Sequence, residues 1–287
     1  MPELPEIEVV KRSLFKKINN AKIVDIKVFN KNLRYKIDRK FSKNLINEKI
    51  LRISRRSKYL IFHLREKILL AHMGMSGKLL LMRRSNNALI KTSFYYNLNI
   101  IKKHNHIYFK LNNGFILIYN DVRRFGFFRL YNTKRINKII FIKKLGIEPL
   151  SKKFNLSYFK NFIYNKNKSI KNLLMDQTFV SGLGNIYVNE ALFMSHIKPM
   201  RTCNNLNKNE ILNLIASIKK ILKLSISKGG SSIKDFKNVL GKSGNFQQFF
   251  HVYGHENKNC SRISCTGKIQ KIIISNRSSF YCGKCQV

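Results

Sequence analysis

The stretch CSRISCTGKIQKIIISNRSSFYCGKC, Cys260 to Cys285, holds four of the chain's five cysteines. Cys260 and Cys265 bracket four residues, Cys282 and Cys285 bracket two, and sixteen residues separate the pairs. Two close pairs at such a distance converge as a tetrahedral thiolate site for zinc. The intervening KIQKIIISNRSSFY reads as two strands with a turn at Ser275-Asn276. A hairpin this short has almost no core of its own, so a metal is expected to hold it. Disulfides are the alternative, and a cytoplasmic chain disfavours them. The wider spacing of the first pair is within what the ligand geometry allows and enlarges that knuckle. Cys203 stands alone and is expected to be an ordinary half-buried residue.

Upstream of this stretch the pattern is helical. NEILNLIASIKKILKLSISKGG, residues 209–230, carries apolar residues at a spacing of three to four and stops at a glycine pair. Before LGIEPLS, residues 145–151, the chain reads mostly as strands: AKIVDIKVF, KYLIFHL, KILLAHM and HIYFKLNNGFILIY are short β-branched or aromatic runs. Asn113-Gly114 splits the last of these as a hairpin signal. At the start, Ile7, Val10, Leu14, Phe15 and Ile18 keep helical spacing, and Pro5 suits a first turn. The expected fold class is α+β, a β-rich domain with one flanking helix, then a helical domain, then the cysteine hairpin. The boundaries are read as 1–131, a linker over 132–150, 151–250 and 251–287.

No stretch approaches the apolar length that crosses a bilayer, and charges within the first eight residues argue against a signal peptide. The expected location is the cytoplasm, with the nucleoid. Basic side chains number 56 against 14 acidic ones, a formal charge of +42. Such an excess calls for a polyanionic partner, and nucleic acid is the expected one. Abundant Lys, Asn and Ile also fit A/T-rich coding, so charge alone names no function.

Six short strings carry the chemistry. MPELPE opens the chain; RRSKYL holds Lys58; HMGMSG holds Met75; DVRRFG holds Arg123 and Phe125; SGLGNIYVNE holds Asn185; NRSSFYCGKC holds Arg277. In this order, and with a zinc-type terminus, the set resembles the bacterial formamidopyrimidine-DNA glycosylases from residue 1 to 287. The resemblance implies an N-terminal β-sandwich, a helix–two-turns–helix domain and a zinc hairpin, with DNA in the cleft between. It implies removal of an oxidised purine and then strand cleavage at the abasic site, with one structural zinc, no catalytic metal or organic cofactor, and a monomer acting on damaged double-stranded DNA.

The residues fit that chemistry. Removal of the initiator methionine would expose the ring nitrogen of Pro2, and a free α-amino group titrates near about 8, so much of it is unprotonated at neutral pH. It can attack C1′ of the sugar as a Schiff-base nucleophile. Glu3 is the natural proton shuttle beside it, with Glu6 as a second candidate that also favours the positive end of the helix. By resemblance Lys58 assists the first elimination, and Arg277 grips a flanking phosphate and assists the second. Met75, Arg123 and Phe125 match the residues that fill the space of a flipped base, Arg123 facing the widowed cytosine. On strands alone, Met75 and Phe125 would read as core. Val122 stands where the family usually has proline, which bears on the stiffness of that loop. Asn185 would offer its side chain and backbone N–H to phosphate at a helix start. His104, Lys166 and Lys171 match further DNA contacts, and GKSGNFQQFF, residues 241–250, matches a loop over the flipped base. Two other readings stay open: a related glycosylase/lyase for oxidised pyrimidines, and a non-enzymatic basic protein that coats nucleic acid.

Overall fold

The computed structural model describes residues 1–90, 101–231 and 246–287. They fall into two compact units, one of Met1–Lys143 with Lys228–Asn245, the other of Lys144–Ser227 with Phe246–Val287. The first unit opens with α1 (Leu4–Ile18), which has Pro5 in its first turn and Lys16 and Lys17 in its last, where the helix dipole favours cations. β1 (Ile23–Val28) follows, then α2 (Phe41–Leu45) and the strands β2 (Arg52–Arg56), β3 (Tyr59–His63), β4 (Lys67–His72), β5 (Lys78–Arg83) and β6 (Leu89–Ile90). β7 (Asn105–Leu111), β8 (Phe115–Asn120), β9 (Phe127–Asn132) and α3 (Ile140–Lys143) complete the unit.

The strands pair antiparallel into two sheets, ordered β1-β7-β8-β5-β6 and β2-β3-β4-β9 among the described residues. Inward residues of both sheets, among them Ile26, Leu81, Phe109, Leu60, Leu69 and Phe128, share one core with Ile7, Val10, Leu14 and Ile18 of α1. The sandwich with its flanking helix is thus present. The outer face of the second sheet is covered as well, since Ile61, Ile68, Leu70 and Phe127 pack with Ile139. Burial on both faces explains why KYLIFHL and KILLAHM are unbroken apolar runs instead of alternating ones. Asn113-Gly114 turns β7 into β8, with Gly114 at φ +81°, as a hairpin of this kind requires.

The second unit packs α4 (Leu156–Ile163), α5 (Ile170–Met175), α6 (Asn185–Met194) and α7 (Lys208–Ser227) around Phe154, Phe159, Phe179, Tyr187 and Leu214. Asn155 caps α4 by accepting the N–H of Tyr158 at 3.0 Å, and Ser169 caps α5 by accepting that of Asn172 at 3.3 Å. Cys203 is fully buried in this core, not half-buried as expected, and its Sγ lies 3.3 Å from the carbonyl of Lys166. A small side chain with a weak donor fits a tight interior position, which the isolated residue gave no means of seeing. β10 (Ile269–Ile274) and β11 (Arg277–Cys282) form the C-terminal hairpin. Ser275 and Asn276, at φ +48° and +59°, make the expected two-residue turn. The hairpin belongs to the same compact unit as the helices.

Candidate active site and nucleic-acid interface

Pro2 and Glu3 are buried at the start of α1, Glu3 with 4% of its surface exposed. Glu6 accepts the backbone N–H of Glu3 on Oε2 at 2.9 Å, closing a capping box that fixes the entry of the chain into the helix. Its other oxygen accepts the N–H and the hydroxyl of Ser231 at 2.8 and 3.0 Å. Both oxygens of Glu6 are therefore engaged in holding the backbone. Lys58 lies on the tight connection between β2 and β3 and is 6% exposed. Ser57 before it takes a left-handed conformation, φ +56°, and its carbonyl accepts Nη1 of Arg55 at 2.8 Å. Arg55 in turn donates Nε to Glu8 of α1 at 3.1 Å, and Glu8 also takes Lys11 and Arg12 at 2.7 and 2.9 Å. Burial alone would raise the Glu8 carboxyl. The hydrogen bonds of Lys11 and Arg12 and the charge of Arg55 outweigh it, so Glu8 sits below the usual carboxylate range. Glu8 and Arg55 thus tie the Lys58 turn to the helix that starts at Glu3, a link the sequence did not announce.

Met75 and the pair Arg123–Phe125 occupy two loops that meet. Met75 and Phe125 are 38% and 48% exposed, so neither is core, and Nη1 of Arg123 approaches Sδ of Met75 at 3.5 Å. The loops pack so closely that a Cβ on Gly74 would fall 2.5 Å from the backbone of Phe125 and Gly126. Beneath them lies Asp121, fully buried. Its Oδ1 accepts the Ser76 hydroxyl at 2.5 Å and the N–H of Arg123 at 3.2 Å; its Oδ2 accepts the Tyr119 hydroxyl at 2.7 Å and the N–H of Gly126 at 3.0 Å. Ser76 accepts the Arg123 N–H as well, at 3.1 Å. The backbone of Asp121 donates to the carbonyl of His104 at 3.0 Å and accepts Nε2 of His106 at 2.7 Å. His104 itself is half-buried. His72 supports the Met75 loop by accepting the N–H of Gly74 on Nδ1 at 3.0 Å, and its ring stacks on Phe127. Burial, then the charges of Lys58 and Arg34, lower its pKa to about 4. Arg34, Arg123 and Arg124 line an open concavity of about 620 Å³ with Asn32 and Phe125, a surface suited to phosphate. Asp121, Ser76 and His72 were missed although they sit inside the DVRRFG and HMGMSG strings.

On the second unit, β11 is docked against α5 and α6 by polar side chains. Asn185 donates Nδ2 to the carbonyl of Ser278 at 2.9 Å, and Asn189 accepts the N–H of Phe280 at 2.9 Å. Lys171, only 1% exposed, donates Nζ to the Ser278 carbonyl at 2.8 Å and to the Ser279 hydroxyl at 2.6 Å. Burial first, and the charge of Arg277 second, lower its pKa to about 8. Lys171 therefore lies under the hairpin and not on the surface expected of it. The Asn185 amide is likewise turned onto β11, and its backbone N–H lies in the first turn of α6, where the helix itself offers no acceptor. Arg277 is exposed beside the hairpin turn, and Lys166 is half-buried with Nζ 3.4 Å from the Phe162 ring centroid. Glu190 of α6, fully buried, accepts the N–H groups of His251, Val252 and Tyr253 at 2.8 to 3.1 Å and fixes the chain leading to the hairpin. Of GKSGNFQQFF, residues 241–245 lie outside the described residues. Phe246 that follows is buried in the helical core.

The sulfurs of Cys260, Cys265, Cys282 and Cys285 all lie within 4.8 Å of one another. Cys260–Cys285 and Cys265–Cys282 are 3.7 and 3.6 Å apart, too far for disulfides, which need about 2.05 Å. Thiolates about 2.3 Å from a central ion would be about 3.8 Å from each other, so the four sulfurs fit a metal ion. Gly267 is required where it is, since a Cβ there would lie 2.8 Å from Sγ of Cys282. In the wide first knuckle, Arg262 donates to the carbonyl of Phe193 at 2.5 Å and lies over that ring, anchoring the knuckle to the end of α6.

Two family models match the chain: the formamidopyrimidine-DNA glycosylase N-terminal domain over residues 1–128 and the formamidopyrimidine-DNA glycosylase H2TH domain over 145–237. Proteins named formamidopyrimidine-DNA glycosylase from Bartonella tribocorum and Rickettsia bellii are 42% and 41% identical, each covering all of this chain over 100% and 99% of their own length. Among solved structures, the Lactococcus lactis enzyme bound to DNA containing an abasic site superposes with a TM-score of 0.85 at 36% identity over 99% of both chains. The same enzyme with DNA containing an oxidised pyrimidine gives 0.84, again at 36% identity over 99% of both chains.

Proposed function

The chain belongs to the formamidopyrimidine-DNA glycosylase family, and on that premise we propose how its residues carry out the work of a DNA glycosylase of base excision repair with the lyase activity typical of the family. The substrate is an oxidised purine, 8-oxoguanine opposite cytosine or a ring-opened formamidopyrimidine, in double-stranded DNA. The observation that carries the reading is a proline followed by a buried carboxylate, held by a capping box at the start of α1.

With Met1 removed, the Pro2 nitrogen attacks C1′ of the flipped nucleotide. The bond from C1′ to the base breaks, and the base leaves with a proton. Glu3 supplies the proton that opens the sugar ring at its oxygen, leaving an iminium between Pro2 and C1′. Loss of the C2′ proton to solvent then expels the 3′ phosphate, with Lys58 giving a proton, and loss of the C4′ proton to solvent expels the 5′ phosphate in a second elimination, with the Arg277 guanidinium gripping a flanking phosphate as a fixed cation. Met75, Arg123 and Phe125 fill the vacated stack and read the opposite base. His104, Lys166 and the backbone N–H of Asn185 take phosphates, and Lys171 contributes from beneath by holding the strand that presents Arg277. The four cysteines hold a structural zinc, which fixes the hairpin and the aim of Arg277. The protein acts as a monomer in the cytoplasm with the nucleoid; among the described residues no helix is long and apolar enough to cross a membrane.

Borohydride reduction during turnover tests the proposal. The mature protein is expected to form a covalent adduct with an 8-oxoguanine duplex, and a form with an extra residue ahead of Pro2 is expected to form none. An adduct that persists in the extended form would overturn the Pro2 mechanism. The Lactococcus complex with an oxidised pyrimidine supports a second reading, in which such bases are also excised. Preference for thymine glycol over 8-oxoguanine in matched duplexes would make it the first.

A further inference from the structure

Asp121 has no part in the proposed chemistry, yet two hydroxyls and two backbone N–H groups converge on its oxygens, and its own backbone ties to His104 and His106. We infer that Asp121 is a positioning residue whose buried carboxylate locks the Met75 loop to the Arg123–Phe125 loop, and thereby sets how stringently the base opposite the lesion is read. The inference rests on the reading of Met75, Arg123 and Phe125 as the residues that enter the duplex.

The physical reason is preorganisation. The three side chains are exposed and make few contacts of their own, so their aim depends on the backbone beneath them. That backbone is pinned from one point. Oδ1 holds Ser76, next to Met75, and the N–H of Arg123; Oδ2 holds the N–H of Gly126, next to Phe125. Ser76 closes the link by donating to Asp121 while accepting from Arg123. Gly74 and Gly126 let the strands of the arrangement approach, since a Cβ on Gly126 would lie 1.9 Å from the Tyr119 hydroxyl. An amide cannot replace the carboxylate. It has one oxygen, and its NH₂ would face either Gly126 N–H, taking away the acceptor of that buried donor, or Arg123 N–H, which would then bond to Ser76 alone while the Ser76 hydroxyl loses its carboxylate acceptor.

The test compares wild type, Asp121→Asn and Ser76→Ala in single-turnover excision of 8-oxoguanine opposite cytosine and opposite adenine. Borohydride adduct formation on a single-stranded abasic oligonucleotide, which offers no opposite base, is the control. Asp121→Asn is expected to lower the cytosine-to-adenine rate ratio at least tenfold and Ser76→Ala about threefold, both with the single-stranded adduct retained. Variants that melt like wild type and keep its ratio overturn the inference, and if Asp121→Asn does not fold, Ser76→Ala decides alone. A parallel loss of the single-stranded adduct would make Asp121 a residue of the fold only, and overturns it too. A wild type that forms no adduct at all overturns the glycosylase reading itself, a result distinct from the others.

Discussion

His72 shows how a single side chain can couple stability to pH. Its Nδ1 must be unprotonated to accept the Gly74 N–H, and its pKa of about 4 reflects burial first and then the nearby charges of Lys58 and Arg34. An unfolded chain would protonate the same group near 6.5. Between those values the unfolded state binds a proton that the folded state refuses, so the folded state loses stability as pH falls from 6.5 to about 4 and levels off below. His72→Gln keeps an acceptor for Gly74 but cannot titrate. It is expected to flatten that part of the stability curve in thermal melts run across this range, relative to wild type. Equal slopes for the two proteins would show that the Gly74 turn does not depend on a neutral ring.

Among the elements, the hairpin β10–β11 was the most legible in sequence and its docking the least. Cysteine spacing and the Ser275-Asn276 turn are local signals, and each maps onto the observed hairpin. What fixes that hairpin to α5 and α6 is non-local: Lys171 reaches Ser278 and Ser279, and Asn189 reaches Phe280, across roughly a hundred residues of chain. A lysine in a chain of this charge reads as surface, and only packing reveals it as buried. Asp121 was hidden for the same reason, because its partner Ser76 lies on another loop. The strands were legible through their apolar runs, while Met75 and Phe125 would have been taken for core without the strings around them. The consequence for Lys171 is specific. Hydrogen bonds from a charged group contribute roughly 1.5–3 kcal/mol, so Lys171→Met should loosen β11 next to Arg277. The expected result is a slowing of the second elimination by about tenfold or more, with the first slowed less. The singly eliminated product would then accumulate on a sequencing gel. Equal slowing of both steps would show that Lys171 does not act through Arg277.

For the molecule as a whole, the formal charge of +42 has two sources that a binding experiment can separate. Compositional drift scatters lysine over the surface without regard to function, and such charges raise the general attraction for any polyanion. The proposed function asks something narrower of Arg123 and Arg277, which are to neutralise particular phosphates or face a base, from positions beside the buried Asp121 and Lys171. Each neutralised phosphate releases counterion, so the logarithm of the binding constant should fall with the logarithm of salt at a slope of about −0.9 per contact. A duplex carrying an abasic-site analogue is expected to give a slope near −5, as about six contacts would. Removing the Arg277 guanidinium, in Arg277→Ala, should shift that slope by about one. Neutralising an exposed lysine outside the proposed contacts, Lys49→Ala at the edge bridge with Lys22, should leave it unchanged. If both substitutions shift the slope alike, the excess charge acts as a diffuse coat. If only Arg277→Ala shifts it, DNA is held at defined positions, as excision of one nucleotide requires.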